Sequence, residues 1–260
     1  MRSGSPLERA WRVVATAIAF ISFGLSSLGM FLLVFPLIGL FVRDRARLTY
    51  AARAVIHHYF RFYVWEMKVL RIFTLETHGL EQLKQRKGAF VVANHPTLLD
   101  VVILISLIPQ ADCVVRGNLL RNPFMRFPIL AANYVTNDSG VGLIDSALAS
   151  VKAGNTLIIF PAGTRTPRTG KAPLQRGAAN VAVRGPLDLT PITIDCQPPM
   201  LGKGEPWYKV AERRSHFNIK VHDDVPVKPY LVGATSEPLA ARRLTSWLET
   251  FFEQEVRRAG

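Results

Sequence analysis

Between Val13 and Val42 the chain runs VVATAIAFISFGLSSLGMFLLVFPLIGLFV without a single charged residue. That is longer than the roughly 20 apolar residues a membrane-crossing helix needs. The N-terminal part is therefore apolar helix that belongs in or against a bilayer; a buried core helix of this length is the weaker alternative. A cleaved signal sequence fits poorly, because its apolar region is shorter and ends at a small-residue cleavage site. Here the run passes directly into RDRARLTYAARAVIHHYF. Two arrangements stay open: one helix that crosses, or two helices broken near GLSSLG that dip in and return. Arg9 and Arg12 precede the run, and Arg43, Arg45 and Arg47 follow it. Arginines at both ends set no orientation by the positive-inside rule, and they suit a hairpin with both ends on the cytoplasmic side better than a span. From 43 to 73, arginines mix with Tyr59, Phe60, Phe62, Tyr63, Trp65 and Met67. This is the composition of an interfacial helix, and also of an amphipathic helix packed on a core. His57 and His58 in this stretch read as structural or surface residues.

Charge narrows the partners. The formal net charge is +13, although charged residues make up only 20% of the chain against 49% apolar. Such a surface attracts nucleic acid, anionic lipid or acidic protein. The arginines sit on no recognisable nucleic-acid module, and the apolar N-terminus argues for lipid, so nucleic acid is set aside. Cys113 and Cys196 lie far apart without metal-ligand spacing. They read as reduced core residues of a cytosol-facing protein, with no metal site and no resident cofactor.

Beyond Phe73 the pattern changes to short alternating segments. GAFVVAN, DCVVR, NYVTN, NTLIIF and LTPITIDC read as strands, and HFNIKVHD as a late, antiparallel one. PTLLDVVILISLI reads as a helix with Pro96 in its first turn. NPFMRFPILAA, SGVGLIDSALASVKAG and PLQRGAANVAVRG are further helices, the last two closed by Gly154 and Gly185. A C-terminal helix follows Ser236 as N-cap, with Pro238 in its first turn. The expected architecture is α/β: a mostly parallel sheet covered by helices on both faces, preceded by a membrane-embedded helical hairpin. The division is residues 1–72, embedded and interfacial helices, and residues 73–260, one α/β domain.

Sites in open parallel sheets form beyond the carboxyl ends of the strands. Two such ends carry suggestive residues: VVAN-HPTLLD and TLIIF-PAGTRT. His95 lies at a strand-to-helix corner, and Asp100, five residues on, can reach back to its ring. A carboxylate on one imidazole nitrogen fixes the tautomer and raises basicity at the other, which suits a base acting on a hydroxyl. A buried, mutually satisfied structural pair is the competing reading. In the second loop, Gly163 permits close backbone approach, Thr164 offers a hydroxyl and Arg165 a planar fork for phosphate. An ordinary solvated turn would carry the same tripeptide. Neither a GxSxG elbow nor an HExxH motif occurs, which disfavours serine-hydrolase or zinc-protease chemistry.

Taken in order, NHPTLLD, VVRGNLLRNPF, FPAGTRT and LTPITI resemble the glycerolipid acyltransferases of the lysophosphatidate acyltransferase type, over roughly Phe73 to Ile194. The resemblance implies an α/β fold with membrane-dipping helices. It also implies transfer of an acyl chain from a thioester of CoA or acyl carrier protein to a lipid or lipid-precursor hydroxyl. His95 would be the base and Asp100 its orienter, with Asn94, Arg116, Gly163, Thr164 and Arg165 as substrate contacts. The implied location is a bacterial inner membrane, with the site facing the cytoplasm. Two positions depart from the family pattern: Ala162 stands where it has glutamate, and Asn137 where it has arginine. Both family residues are associated with the glycerol-phosphate acceptor. The departures, and a downstream CQPPMLGKGEPWYKV similar to acyltransferases found with bacterial polyene-pigment genes, predict that lysophosphatidate itself is a poor acceptor. They also leave open a non-catalytic lipid-binding protein with a degenerate site.

Overall fold

The computed structural model describes residues 5–137, 140–166, 173–232 and 234–259. It begins with α1 (Pro6–Gly29), which opens on a capping box between Ser5 and Glu8 and runs through a π-helical segment (Met30–Val34) into α2 (Phe35–Phe41). The three pieces form one 36-residue apolar helix, long enough to cross a bilayer. The chain does not break at GLSSLG as the hairpin reading expected. The Ser26 hydroxyl bonds back to the Ser22 carbonyl, and both Ser26 and Ser27 meet the Tyr59 hydroxyl, so the polar groups there are satisfied without leaving the helix. The wide turn falls just before Pro36, which lacks the N–H that an α-turn would use. The chain reverses only at 42–44. Asp44 caps α3 (Arg45–Val69), which runs back antiparallel, with Glu66 accepting from Ser22 and the Leu70 carbonyl accepting from the Trp11 indole. A hairpin is present, but its second arm is the arginine-rich, aromatic helix.

Seven strands follow: β1 (Phe73–His78), β2 (Phe90–Ala93), β3 (Asp112–Val115), β4 (Val135–Thr136), β5 (Leu157–Ile159), β6 (Thr190–Gln197) and β7 (Ser215–Val221). The remaining helices are α4 (Leu80–Lys84), α5 (Asp100–Leu107), α6 (Pro123–Ala131), α7 (Gly140–Lys152), α8 (Gly177–Arg184), α9 (Lys228–Val232) and α10 (Glu237–Ala259). Ser139, expected at the head of α7, lies outside the described residues. The sheet order is β1-β7-β6-β2-β5-β3-β4, and β6 with β7 is the antiparallel pair. The α/β fold with a mostly parallel sheet is thus as the alternation of elements implied. Two differences stand out. β1 is an edge strand the sequence reading passed over, since FTLETH has charged and polar residues where a buried strand would be apolar. And α5 starts at Asp100, not at Pro96, because residues 97–99 form a turn.

Side chains of β2 divide the interior. Val91 and Ala93 enter a core with α1, α3 and α5, while Phe90 and Val92 enter a second core under α7, α8 and α10. Ala15, Ala52 and Met67 share the first core with Ile103 and Phe217, so no gap in packing marks the passage from residue 72 to 73. Cys113 and Cys196 are free and buried. Along α1, Leu7, Trp11, Val14, Ile18, Ile21 and Leu25 stay exposed at helical spacing. A contiguous apolar stripe of that length is a surface for something other than water.

Candidate active site

The central strands β2, β3, β5 and β6 are parallel, so their carboxyl ends open on the same edge of the sheet, and the loops that follow them converge. The corner after β2 is held first. Asn94 donates its side-chain amide to the Ile194 carbonyl at 2.8 Å and accepts from the Ile194 N–H at 2.7 Å. It extends the β2–β6 ladder by a side chain. Asn94, expected among the substrate contacts, fixes the strand end from which the next residue projects.

That residue is His95. Its Nδ1 lies 2.7 Å from Asp100 Oδ2, and its side chain keeps 16% of its surface exposed while that of Asp100 keeps none. The same Oδ2 accepts the Thr97 N–H at 2.7 Å, and Oδ1 accepts the Thr97 hydroxyl at 2.5 Å. Burial pushes the Asp100 carboxyl above the ordinary carboxylate range, and the His95 and Thr97 donors act against that shift. Both Thr97 groups donate to the carboxylate, which when ionised is an acceptor only. In the tautomer that matches an ionised Asp100, Nδ1 of His95 donates and Nε2 carries the lone pair. The ring of His95 packs against Phe160 at 4.6 Å between centroids, and its carbonyl accepts the Thr166 N–H at 2.8 Å. The HPTLLD corner and the loop after β5 are therefore one unit.

Within that second loop the backbone at Gly163 favours glycine, and the exposed Gln175 side chain packs close against it. The φ of Gly163 is +60°, and a Cβ there would stand 2.9 Å from the Gln175 side chain. Arg116, from the end of β3, donates to the Gly163 carbonyl. Arg165 is half-buried, and its Nη1 donates to the carbonyls of Leu201 and Gly202, both at 3.0 Å. Through Nη1, Arg165, expected as a phosphate fork, ties the loop after β5 to the segment after β6. Leu98 donates to the same Leu201 carbonyl. Thr164 is half-buried beside them, and Ala162 is buried. Asn137 accepts from the Gly117 N–H with its side chain. The structure thus brings together His95, Asp100, Arg116, Gly163 and Arg165.

Thr97 is the residue the sequence reading missed. Its signal was present: Thr97-x-x-Asp100 has the Thr-x-x-Asp spacing of a helix-start motif. The reading placed the helix start one turn too early and so hid it. Among the described residues no group of three or more His, Cys, Asp or Glu is placed to hold a metal ion.

This is an α/β domain with a partly exposed histidine on a buried carboxylate at the carboxyl end of a central parallel strand. A family model described as Acyltransferase matches residues 74–195. A putative 1-acyl-sn-glycerol-3-phosphate acyltransferase of Caenorhabditis elegans is 26% identical over 168 residues, 62% of this chain and 58% of that protein. The 1-acyl-sn-glycerol-3-phosphate acyltransferase of Pseudomonas aeruginosa is 27% identical over 146 residues, 54% of this chain and 56% of that protein. The chain therefore matches under two thirds of the length of either relative. The crystal structure of the 1-acyl-sn-glycerophosphate (LPA) acyltransferase PlsC from Thermotoga maritima superposes with a TM-score of 0.67, covering 97% of this chain and 96% of that one, at 19% identity; that likeness is one of fold. Residues 74–195 thus match the acyltransferase family model, and the chain resembles 1-acyl-sn-glycerol-3-phosphate acyltransferases in sequence over about half its length and one of them in fold.

Proposed function

We propose that the protein is a membrane-associated O-acyltransferase that moves an acyl chain from a thioester to a hydroxyl of a lipid or lipid precursor. The observation that carries this reading is the His95–Asp100–Thr97 arrangement, which leaves Nε2 of a partly exposed imidazole as a free base. Nε2 takes the proton as the acceptor oxygen attacks the thioester carbonyl, and Asp100 stabilises the imidazolium that forms. Charge on the carbonyl oxygen is steadied by backbone amides or by a basic side chain of the adjoining loops. The C–S bond then breaks, and the thiolate takes the proton from His95. No covalent enzyme intermediate, metal or resident cofactor enters this scheme.

Three observations support the finer parts. The exposed apolar stripe of α1 supports membrane association. The relatives' printed activity supports a glycerol-phosphate type of acceptor, while Ala162 and Asn137 argue that lysophosphatidate itself is not the preferred one. Exposed Arg116 at the site, with exposed Arg121 and Arg126 further along the same segment on a chain of net charge +13, favours an acidic carrier-protein donor over CoA. The test is to supply the purified protein with acyl-CoA or acyl carrier protein thioesters and a panel of lipid acceptors, then read the products by mass spectrometry. Ester formation that needs the protein supports the proposal. Lipid binding without any ester, across the panel, would instead favour the non-catalytic reading.

A further inference from the structure

Arg12 is 94% buried by its 6% exposure, on the face of α1 that meets the protein. Its Nη2 donates to the carbonyls of Ala211 at 3.1 Å and Glu212 at 2.7 Å. Its Nε–H is buried and has no acceptor, and no ion pair among the described residues includes it. A buried guanidinium without a carboxylate is costly, because burial removes the hydration that water gave the charge. Two carbonyls answer part of that cost and leave both the net charge and one donor unanswered.

The surroundings show what would answer it. Arg12 lines a cleft between α1 and the segment that follows β6, together with Thr16, Leu201, Trp207, Lys209 and Arg213. Three of these six residues are cationic. Among the described residues the cleft lining holds no acid; Glu212, beside it, is exposed and meets Arg12 through its carbonyl, and Glu205 is engaged with the Gly202 N–H at 2.9 Å and lies 3.7 Å from Lys209. Trp207 of the lining packs beside Phe20 of α1, with ring centroids 6.1 Å apart. Its room is about 20 Å³, enough for one or two water-sized groups. That admits one or two anion oxygens, and excludes a sugar, a base or an aromatic ring.

We infer that the cleft between α1 and the Met200–Ser215 segment is a phosphate subsite, in which the oxygens of a phosphate group, carried by a membrane phospholipid or free in solution, accept from Arg12. The phosphate supplies the missing charge and the missing acceptor, and a phosphodiester leaves its glycerol and tails outside the cleft, along α1. The site is separate from His95, and the inference stands whether or not the acyl-transfer reading does. It also has a route to the catalytic corner: Leu201, which lines the cleft, carries the carbonyl that holds both Arg165 and Leu98.

The test uses the full chain in a non-ionic detergent with arginine labelled by nitrogen-15. Three probes are titrated in turn: dioctanoyl phosphatidylglycerol, dioctanoylglycerol and inorganic phosphate. The account expects phosphatidylglycerol to move the Arg12 Nε–Hε resonance saturably and dioctanoylglycerol to leave it unmoved. Retention of phosphatidylglycerol in native mass spectrometry should fall about tenfold in Arg12→Gln, the worth of one charge-assisted hydrogen bond. Movement by inorganic phosphate at the same concentrations would support the subsite and name free phosphate as a sufficient occupant. An Arg12 resonance that none of the probes moves overturns the inference, even if the variant fails to fold. Equal lipid retention by a folded Arg12→Gln overturns it as well.

Discussion

Arg53 of α3 and Asp112 of β3 form an ion pair of 2.8 Å with both side chains at 4% exposure or less. Ser150 and the Cys113 N–H also donate to the Asp112 carboxylate, and Arg53 Nε donates to the Ala132 carbonyl. The second arm of the hairpin is thereby fastened to the sheet by a group that cannot be left alone. Removing one partner strands a buried charge, which typically costs about 3–5 kcal/mol. Asp112→Ala should therefore be strongly destabilised, whereas the double change Arg53→Met with Asp112→Leu should recover much of the loss. Denaturant unfolding in detergent, followed by circular dichroism, measures both. A single variant within about 1 kcal/mol of the parent would contradict a buried, charged pair.

Gly163 offers a second point of attack. A side chain at φ +60° meets the left-handed penalty of roughly 1–2 kcal/mol, and here it also meets Gln175 at 2.9 Å. Gly163→Ala should displace the loop that Arg116 and Arg165 hold, and acyl transfer should fall by at least about tenfold for a misplacement of this kind. Adding Gln175→Ala relieves the contact but not the backbone strain, so recovery should be partial. Full recovery in the double variant would mean that only the contact matters.

Attachment follows from the exposed stripe of α1. The protein should sediment with membranes and resist a high-salt wash, since apolar insertion is not screened as surface charge is. Deleting residues 1–42 should aggregate the remainder rather than free it, because Ala15, Ala19 and Phe35 leave the first core. A monodisperse, detergent-free truncation would count against this, as would the intact chain in the soluble fraction.

Donor choice is an electrostatic matter. Transfer from an acyl carrier protein should exceed transfer from acyl-CoA at low salt. The advantage should shrink as ionic strength rises and the screening length falls toward about 8 Å. Arg121→Glu with Arg126→Glu should lower kcat/KM for the carrier-protein donor more than for CoA. With either donor, lysophosphatidate should be the weaker acceptor. Efficient, salt-insensitive acylation of lysophosphatidate from acyl-CoA would mean that Ala162 and Asn137 carry no weight in acceptor choice.

Much of this architecture was legible because its signals are local. Uncharged length marks the long helix, period-two and continuous apolar runs mark the buried strands, and the order of the four motifs marks the family segment. What escaped the sequence depends on distant partners. β1 is recognisable only beside β7, where Phe73 pairs with Ser215 and His78 with Lys220. The hairpin turn was sought in GLSSLG because serine and glycine suggest a break, yet Tyr59 satisfies those serines from 32 and 33 residues away. Asn94 and Arg165 read in the sequence as substrate contacts, and the bonds that position them were not visible there. Their partners, the backbones of Ile194 and of Leu201–Gly202, come from segments no spacing rule connects to them. Thr97 is the exception, a local signal that a misplaced helix start concealed.

The central claim is that the imidazole of His95 removes the acceptor proton. The direct measurement is single-turnover acyl transfer by His95→Ala and Asp100→Asn, in membranes where folding and attachment are verified for each variant. A positioned base is worth about 100- to 10,000-fold. His95→Ala should lose at least that lower figure while remaining folded and membrane-bound, and Asp100→Asn should lose most activity but retain a measurable remainder. Near-parental turnover by a folded His95→Ala would contradict the account.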